Sequence, residues 1–546
     1  MRSPRGTSGR TSFLGLPPAI FVIIFSAIFL LHVPLLQLPY FWDEAGYYVP
    51  AARDLLLRGS LIPHSTLSNA HPPLVLAWIA LWWKVVGYAP AVTRAAMLLI
   101  AAFSLLGVFR LAERVANVRV AIGATACTAF YPVFFAQSSL AQVDLAAAGL
   151  IFWGLAAYLC DNLAAAAIWF SLAALTKETA ILAPLAVAAW EMLGVAARSS
   201  PLQSLWRANH GPLPKGIFLK RIGALTVPVF PLAIWYAYHY AHTGYVFGNP
   251  EFFRYNVADT LNPTRFVLAL GLRLWQAFGY MHLWLLTLAM LLALWCAPRR
   301  DATGERPRIA IPLQMIFFAV IFTYVVVMAL IGGAVLARYM LPATPLVIIL
   351  AISTLWRRLR FWRVAISGIA LAFVLAWFWN PPYGFSPEDN LAYRDYILLH
   401  QDGESFLEAR YPMARVLTAW PASDEITRPW LGYITRPMRV LRIEDFTFDQ
   451  IFSAAEVRSK YQAALVFSTK YEPGPIWWDR WRIWNEWKTR YFGFHRDLPP
   501  ASIAQILGGR IVFSEERKGQ WIAVIEMQLE ENQNAEVRFG EMRSQK

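Results

Sequence analysis

The stretch LPPAIFVIIFSAIFLLHVPLL (Leu16–Leu36) is apolar over about the 20 residues that a helix needs to cross a bilayer, and FWDEAGYY (Phe41–Tyr48) follows within a few residues. The first run sets the class of the fold. The second puts two adjacent carboxylates, Asp43 and Glu44, at the mouth of a membrane protein. Acids beside a bilayer are costly wherever lipid can reach them, so a functional reading of this pair competes with that of a solvated loop. No small-residue cleavage pattern follows Arg2, Arg5, Arg10 and the apolar run, so the first span is expected to stay uncleaved.

The rest of the chain extends this reading. Of its 546 residues 57% are hydrophobic and 15% charged. The mean hydropathy is +0.42. A soluble domain carries about 25% charged residues, so the fold class is an α-helical polytopic membrane protein. The acids gather in the last third of the chain, which predicts a membrane-embedded domain over 1–380 and a polar α/β domain over 381–546. The net charge of +14 sits mainly at the ends of apolar runs, where topology uses it, so no nucleic-acid partner is expected. Cys127, Cys160 and Cys296 all lie in apolar runs, which excludes a disulfide framework in the tail.

Apolar runs near 16–37, 91–112, 119–138, 145–160, 163–176, 179–196, 221–241, 275–296, 310–331, 338–356 and 361–379 read as about eleven spans. Ala and Gly dominate 145–160 and 163–176, which suits a tight hairpin. The basic clusters Arg2/Arg5/Arg10, Arg110/Arg114/Arg119, Arg198/Arg207/Lys215/Lys220/Arg221, Arg299/Arg300/Arg306/Arg308 and Arg357/Arg358/Arg360/Arg363 then fall on one side. The positive-inside rule makes that side the cytoplasm, with the N-terminus inside and the tail outside a cytoplasmic (inner) membrane of bacterial type. The segment 72–87 is short and rich in Trp, so it is expected at the interface, within a long outer loop over 38–90.

This count gathers the remaining polar groups on the outer face. Asp144 lies at the junction of two spans, as a functional acid or a helix N-cap. Lys177 interrupts an apolar run, as a phosphate ligand or a snorkelling hairpin residue. Arg338 and Tyr339 open the run ARYMLPATP, and a guanidinium there can grip phosphate or anchor the interface. His71 is held before Pro72-Pro73, whose rings fix an extended approach to the next helix. No Walker loop, dinucleotide fingerprint or zinc-type cysteine pattern is present, so no nucleotide cofactor is expected.

Taken in order, the acidic pair after span one, the Pro-Pro element, Asp144, Leu175-Thr176-Lys177 and Arg338-Tyr339-x-Leu341-Pro342-x-x-Pro345 resemble the GT-C superfamily over about residues 16–380. The nearest likeness is to the branch of protein O-mannosyltransferases and the lipid A aminoarabinose transferase. The resemblance implies a glycosyltransferase that moves a hexosyl or pentosyl unit from a polyprenyl-phosphate-linked donor to an envelope acceptor, with membrane lipids around it. It implies Asp43 as catalytic carboxylate, Glu44 as its partner and Asp144 as the second acidic position. It also implies His71, Lys177, Arg338 and Tyr339 at the donor phosphate. Relatives often read Glu-Lys-Pro-Pro where this chain has Ala70-His71-Pro72-Pro73, a departure that removes one possible metal ligand and weakens the fixed positive charge, so the metal is left unassigned, with Glu44, His71 and Asp144 as the candidate ligands of a divalent ion. A polytopic lipid or sugar transporter is the competing class; it would place ionisable groups at mid-membrane, often in repeats.

In the tail, Val416–Trp420, Arg439–Ile443 and Ala464–Phe467 read as buried strands separated by helices near Asp424–Tyr433 and Phe448–Tyr461. Arg510–Phe513 and Trp521–Ile525 read as a hairpin. The Trp-rich segment Trp477–Trp487 suits a core or an interface. Gln528–Lys546 is polar and expected to fray.

Overall fold

Hydrocarbon offers the backbone no hydrogen-bond partners, so apolar runs of this length must coil into helices. The structure, a computed structural model of the chain, describes residues 18–196, 215–256, 260–302, 304–471 and 477–528. Arg2, Arg5, Arg10, Arg198 and Arg207, and the tail beyond Gln528, lie outside the described residues. Helices Pro18–His32, Pro90–Val115, Val118–Phe130, Asp144–Leu159, Leu163–Ala174, Leu182–Ala196, Val229–Thr243, Ile311–Leu330, Thr344–Arg358 and Trp362–Phe378 fall on the apolar runs. The chain is thus a multi-pass membrane protein. Among the described residues four helices are long and apolar enough to cross a membrane, or up to five if a bent pair is one span.

That bent pair corrects the expected span 275–296. The chain instead forms Pro263–Phe278 and Leu283–Ala293 at 75° to each other. Met281 (φ +47°) and His282 (φ +66°) both take left-handed backbone, which ends one helix and re-aims the next. The segment before Gly87 is a helix of 13 residues, Leu74–Val86. It rises roughly 20 Å, short of a hydrocarbon core of about 30 Å. It buries Val75, Leu76, Ile79, Ala80 and Trp83 on one face.

Small residues let the helices meet closely, as the Ala/Gly content of the hairpin predicts. A Cβ on Gly149 would lie 1.9 Å from Ser104 Oγ, and one on Gly154 would lie 2.6 Å from the Phe170 ring.

The chain divides into two compact units. One holds the residues up to Leu38, Tyr47–Pro381 and Glu388–Leu391. The other holds Pro39–Gly46, Pro382–Pro387 and the chain from Ala392.

The second unit is built on a five-stranded sheet. Strand Arg415–Ala419 pairs parallel with Arg439–Ile443 on one side and with Ala463–Phe467 on the other. Gln520–Met527 adds antiparallel to Ala463–Phe467, and Gly509–Arg517 closes the far edge of the sheet. The Ala463–Phe467 strand is wholly buried, as its unbroken apolar sequence requires. Helix Ala392–Arg410, which the sequence reading lacks, lies on this sheet. A Cβ on its Gly403 would lie 2.8 Å from Ile522 Cδ1. The expected helix over Asp424–Tyr433 is only Ala422–Glu425 and a 3-10 turn, Pro429–Leu431. Pro429 cannot donate into a continuing helix, and Gly432 turns left-handed at φ +96°. Within the Trp-rich segment helix Arg482–Phe492 has no buried residue, and Trp477 and Trp481 before it are exposed, so the rings of Trp477, Trp481, Trp484 and Trp487 fill no core. The segment Pro39–Gly46 belongs to this unit. Phe41 packs edge-on against Tyr396 at 5.2 Å, and Tyr433 donates to the Tyr40 carbonyl at 2.9 Å.

Candidate active site

Asp144 is the first residue of helix Asp144–Leu159, and Val143 holds the cap position without a side-chain bond. The N-cap reading therefore fails, although the helix dipole still favours an acid in that turn. The carboxylate turns to two cations. Lys177 Nζ donates to its Oδ1, and Arg338 Nε lies 3.3 Å from its Oδ2. Lys177 reaches it because the chain leaves helix Leu163–Ala174 and adopts extended backbone at φ −150°, ψ 133°. The snorkelling reading fails as well, since Lys177 is only 5% exposed.

Arg338 sits in the 3-10 turn Ala337–Met340. Its Nη1 donates to Gln142 Oε1 at 2.8 Å and pairs with Glu388. Gln142 in turn donates to Glu388 Oε2 at 2.8 Å. Buried ions of this kind persist only when paired and hydrogen-bonded, and here each charge has an opposite partner. Tyr339 supplies a ring to the cations. Lys177 Nζ is 3.9 Å from its centroid, and the guanidinium carbons of Arg273 and Arg338 are each 5.6 Å away.

The loop leading to Arg338 is clasped by side chains of helix Pro263–Phe278. Arg273 donates to the carbonyls of Leu336 at 2.8 Å and Ala334 at 3.2 Å, and Gln276 donates to that of Val335 at 2.8 Å. Arg265 donates to the Ile331 carbonyl at 2.9 Å and to that of Gly333. Lys177, Arg338 and Arg273 thus gather around Tyr339, with Asp144 and Glu388 as the carboxylates paired to the first two.

His71 takes another partner. Its Nδ1 lies 3.0 Å from Glu178 Oε2, and its ring stacks on Tyr48 at 6.1 Å. Ala70, at φ +59°, turns the chain just before it. Asp43 and Glu44 belong to the other unit. Glu44 is fully buried and accepts the Phe41 amide at 2.7 Å, while Asp43 is half-buried. Each residue of the suggested metal set has a partner of its own. Glu44 closes its own turn, His71 is paired with Glu178, and Asp144 is held by Lys177 and Arg338.

The two ends of one helix carry different charged clusters. Asp144 starts a helix of 16 residues whose last residue, Leu159, accepts Arg114 at its carbonyl. Arg221 lies beside that end, paired with Asp161 at 2.5 Å and Glu191 at 3.1 Å. Those ends are about 24 Å apart by helix rise. Helix Thr344–Arg358 repeats the pattern. It follows Arg338, and at its far end Arg357 pairs with Glu305 at 3.6 Å while the Arg299 amide donates to the Arg357 carbonyl at 2.9 Å.

The architecture has solved counterparts. The crystal structure of ArnT from Cupriavidus metallidurans in the apo state superposes over 93% of this chain and 98% of that one, at TM-score 0.52 and 13% identity. The same protein bound to undecaprenyl phosphate superposes over the same shares at TM-score 0.54 and 12% identity. The chain has the GT-C fold. An arabinofuranosyltransferase, AftD from Mycobacteria, matches more loosely, at TM-score 0.43 and 13% identity over 94% of this chain and 40% of that one. No protein-family model matches the chain, and no curated protein sequence matches it.

Within this GT-C fold the sequence reading missed Gln142, Glu388, Arg265 and Arg273. The two arginines carried a signal. They stand eight positions apart in PTRFVLALGLRLWQAF, an apolar helix in which a buried charge marks function or a backbone clasp. Glu388 carried none, since its proline-rich surroundings read as a loop.

Proposed function

We propose that this protein transfers a sugar from a polyprenyl-phosphate-linked donor to a hydroxyl of an envelope acceptor. The observation that carries the reading is the buried cluster of Lys177, Arg338 and Arg273 around Tyr339, set in a GT-C fold. A sugar phosphate is already activated, so the departing polyprenyl phosphate needs only positive charge where its own charge develops. Lys177, Arg338 and Tyr339 are assigned to that phosphate, with Arg273 holding their loop in place. His71, paired with Glu178, is assigned to the donor side as a positioning residue. Asp144 keeps the two cations aimed, and Asp43 is the base that takes the acceptor proton. The assignment of Asp43 rests on its sequence motif. A single displacement inverts the anomeric centre. No metal step is proposed.

The likeness to ArnT bound to undecaprenyl phosphate supports a donor of that lipid class. The separation of the Asp144 cluster from the arginine ends of the same helices supports an outward-facing site, with the N-terminus and the basic clusters in the cytoplasm and the tail outside the inner membrane. The bent pair Pro263–Phe278 and Leu283–Ala293 is a feature that transporters share, so a flippase is the second reading. Proteoliposomes given a mixed polyprenyl-phosphate-sugar extract and an envelope acceptor fraction separate the two. Transfer yields free polyprenyl phosphate and a heavier acceptor, whereas a flippase moves intact donor across the bilayer.

A further inference from the structure

We propose that His400, Glu404 and Glu425 form a buried site for one divalent transition-metal cation in the tail unit. His400 and Glu404 are four residues apart on helix Ala392–Arg410, so they share one face of it. Glu425 ends the short helix Ala422–Glu425, which follows strand Arg415–Ala419. One ligand atom from each lies within 4.8 Å of the other two. His400 Nδ1 is 2.6 Å from Glu425 Oε2 and 3.5 Å from Glu404 Oε1.

The surroundings make the cluster unusual. His400 is 1% exposed, and Glu404 and Glu425 are 0% exposed. Tyr396 stacks on the imidazole at 4.0 Å, and Phe467 meets it edge-on at 4.6 Å. Among the described residues no hydrogen-bond donor reaches the carboxyl oxygens of Glu404 or Glu425 Oε1, and His400 Nε2 has no partner; the two carboxyl groups face each other. Among the described residues no Lys or Arg pairs with either carboxylate. Two desolvated carboxylates beside one imidazole cannot both stay charged without a counter-charge. A divalent cation supplies that charge and occupies the empty lone pairs at once.

The donor set of one nitrogen and two carboxylates suits zinc or manganese, with water completing the shell. Neighbouring ligand atoms of a tetrahedral zinc lie roughly 3.3 Å apart. The 3.5 Å separation already matches this, and the 2.6 Å separation opens by a rotation of Glu425. The alternative counter-charge is a proton shared between the two carboxylates. It leaves the Glu404–Glu425 pair without affinity for metal.

The test uses the full chain in detergent, stripped with a chelator and then exposed to Zn²⁺ alone or Mn²⁺ alone. Bound metal is counted by elemental mass spectrometry after gel filtration, and melting is followed in parallel. Glu404→Gln keeps the shape of the side chain and removes one buried charge, so it is expected to fold. The wild type should hold one more metal per chain than Glu404→Gln or Glu425→Gln, and only the wild type should melt higher with metal. Equal metal content in all three proteins, or melting unchanged by metal in the wild type, overturns the proposal in favour of the shared proton. Should both variants fail to fold, X-ray absorption of the zinc-loaded wild type decides. A shell of one imidazole with carboxylate oxygens supports the site, and a shell without imidazole overturns it.

Discussion

Lys177 Nζ lies 3.9 Å from the centroid of the Tyr339 ring while donating to Asp144, so one ammonium joins three elements distant in sequence. The geometry makes Lys177 both a fixed charge and a strut. Lys177→Met leaves Asp144 with Arg338 as its counter-ion. Breaking a buried pair on one side costs about 3–5 kcal/mol. Part of that loss should return in Lys177→Met/Asp144→Asn, because the double variant no longer buries a poorly paired carboxylate. Melting of the single and double variants in detergent checks this. A double variant less stable than either single one would mean that the pair is not the source of the loss.

Arg338 meets Asp144 through Nε and both Gln142 and Glu388 through Nη1. An ammonium is a point charge and cannot span all of them. Arg338→Lys should therefore lose donor binding by at least about tenfold, close to the loss in Arg338→Met, although the charge is kept. Titration of a polyprenyl-phosphate analogue reads the difference. Lysine restoring wild-type affinity would reduce the role of Arg338 to charge alone.

Gly149 supplies a packing test independent of function. Its missing Cβ leaves room for Ser104, whose Oγ would lie 1.9 Å from it. Gly149→Ala should lower stability by about 1–3 kcal/mol through overpacking. An unchanged melting temperature would show that the two helices yield at that contact.

The tail unit carries a pH-dependent contact. Glu408 accepts the Thr435 amide at 3.0 Å, the Thr435 hydroxyl at 2.5 Å and the Arg436 amide at 2.8 Å. Burial would raise its carboxyl, but these bonds, with the Arg436 charge, outweigh it and hold the pKa below the usual range. A depressed folded pKa gives stability that is present above the unfolded value and lost as pH falls through the folded one. Glu408→Gln should thus melt lower than the wild type at neutral pH, and the gap should close in acid. A gap that persists below the folded pKa would assign the effect to shape rather than charge.

The legible part of the molecule was the part governed by long patterns. Long apolar runs marked the helices, and short buried segments marked the strands, because both follow from burial along one element. Asp144, Lys177, Arg338 and Tyr339 stood out because each interrupts or borders an apolar run. Their mutual pairing was not legible, since it depends on how the turn at Lys177 and the 3-10 turn at Arg338 fold back. Glu388 stayed hidden for the same reason, in a turn 50 residues beyond its partner Arg338. The break at Met281-His282 escaped because left-handed backbone at two non-glycine residues leaves no mark on hydropathy. The tail helix Ala392–Arg410 escaped because it mixes buried acids with apolar residues, and His400, Glu404 and Asp395 blur its periodicity.

The fate of the donor separates glycosyl transfer from transport most directly. Purified wild type and Asp43→Asn are placed in liposomes with polyprenyl-phosphate sugars and an envelope acceptor fraction, and lipids and acceptors are weighed by mass spectrometry. The wild type should release polyprenyl phosphate in step with an acceptor heavier by one sugar, and Asp43→Asn should do so about 10²–10⁴-fold more slowly. Donor that crosses the bilayer intact, with no polyprenyl phosphate released by the wild type, would contradict glycosyl transfer.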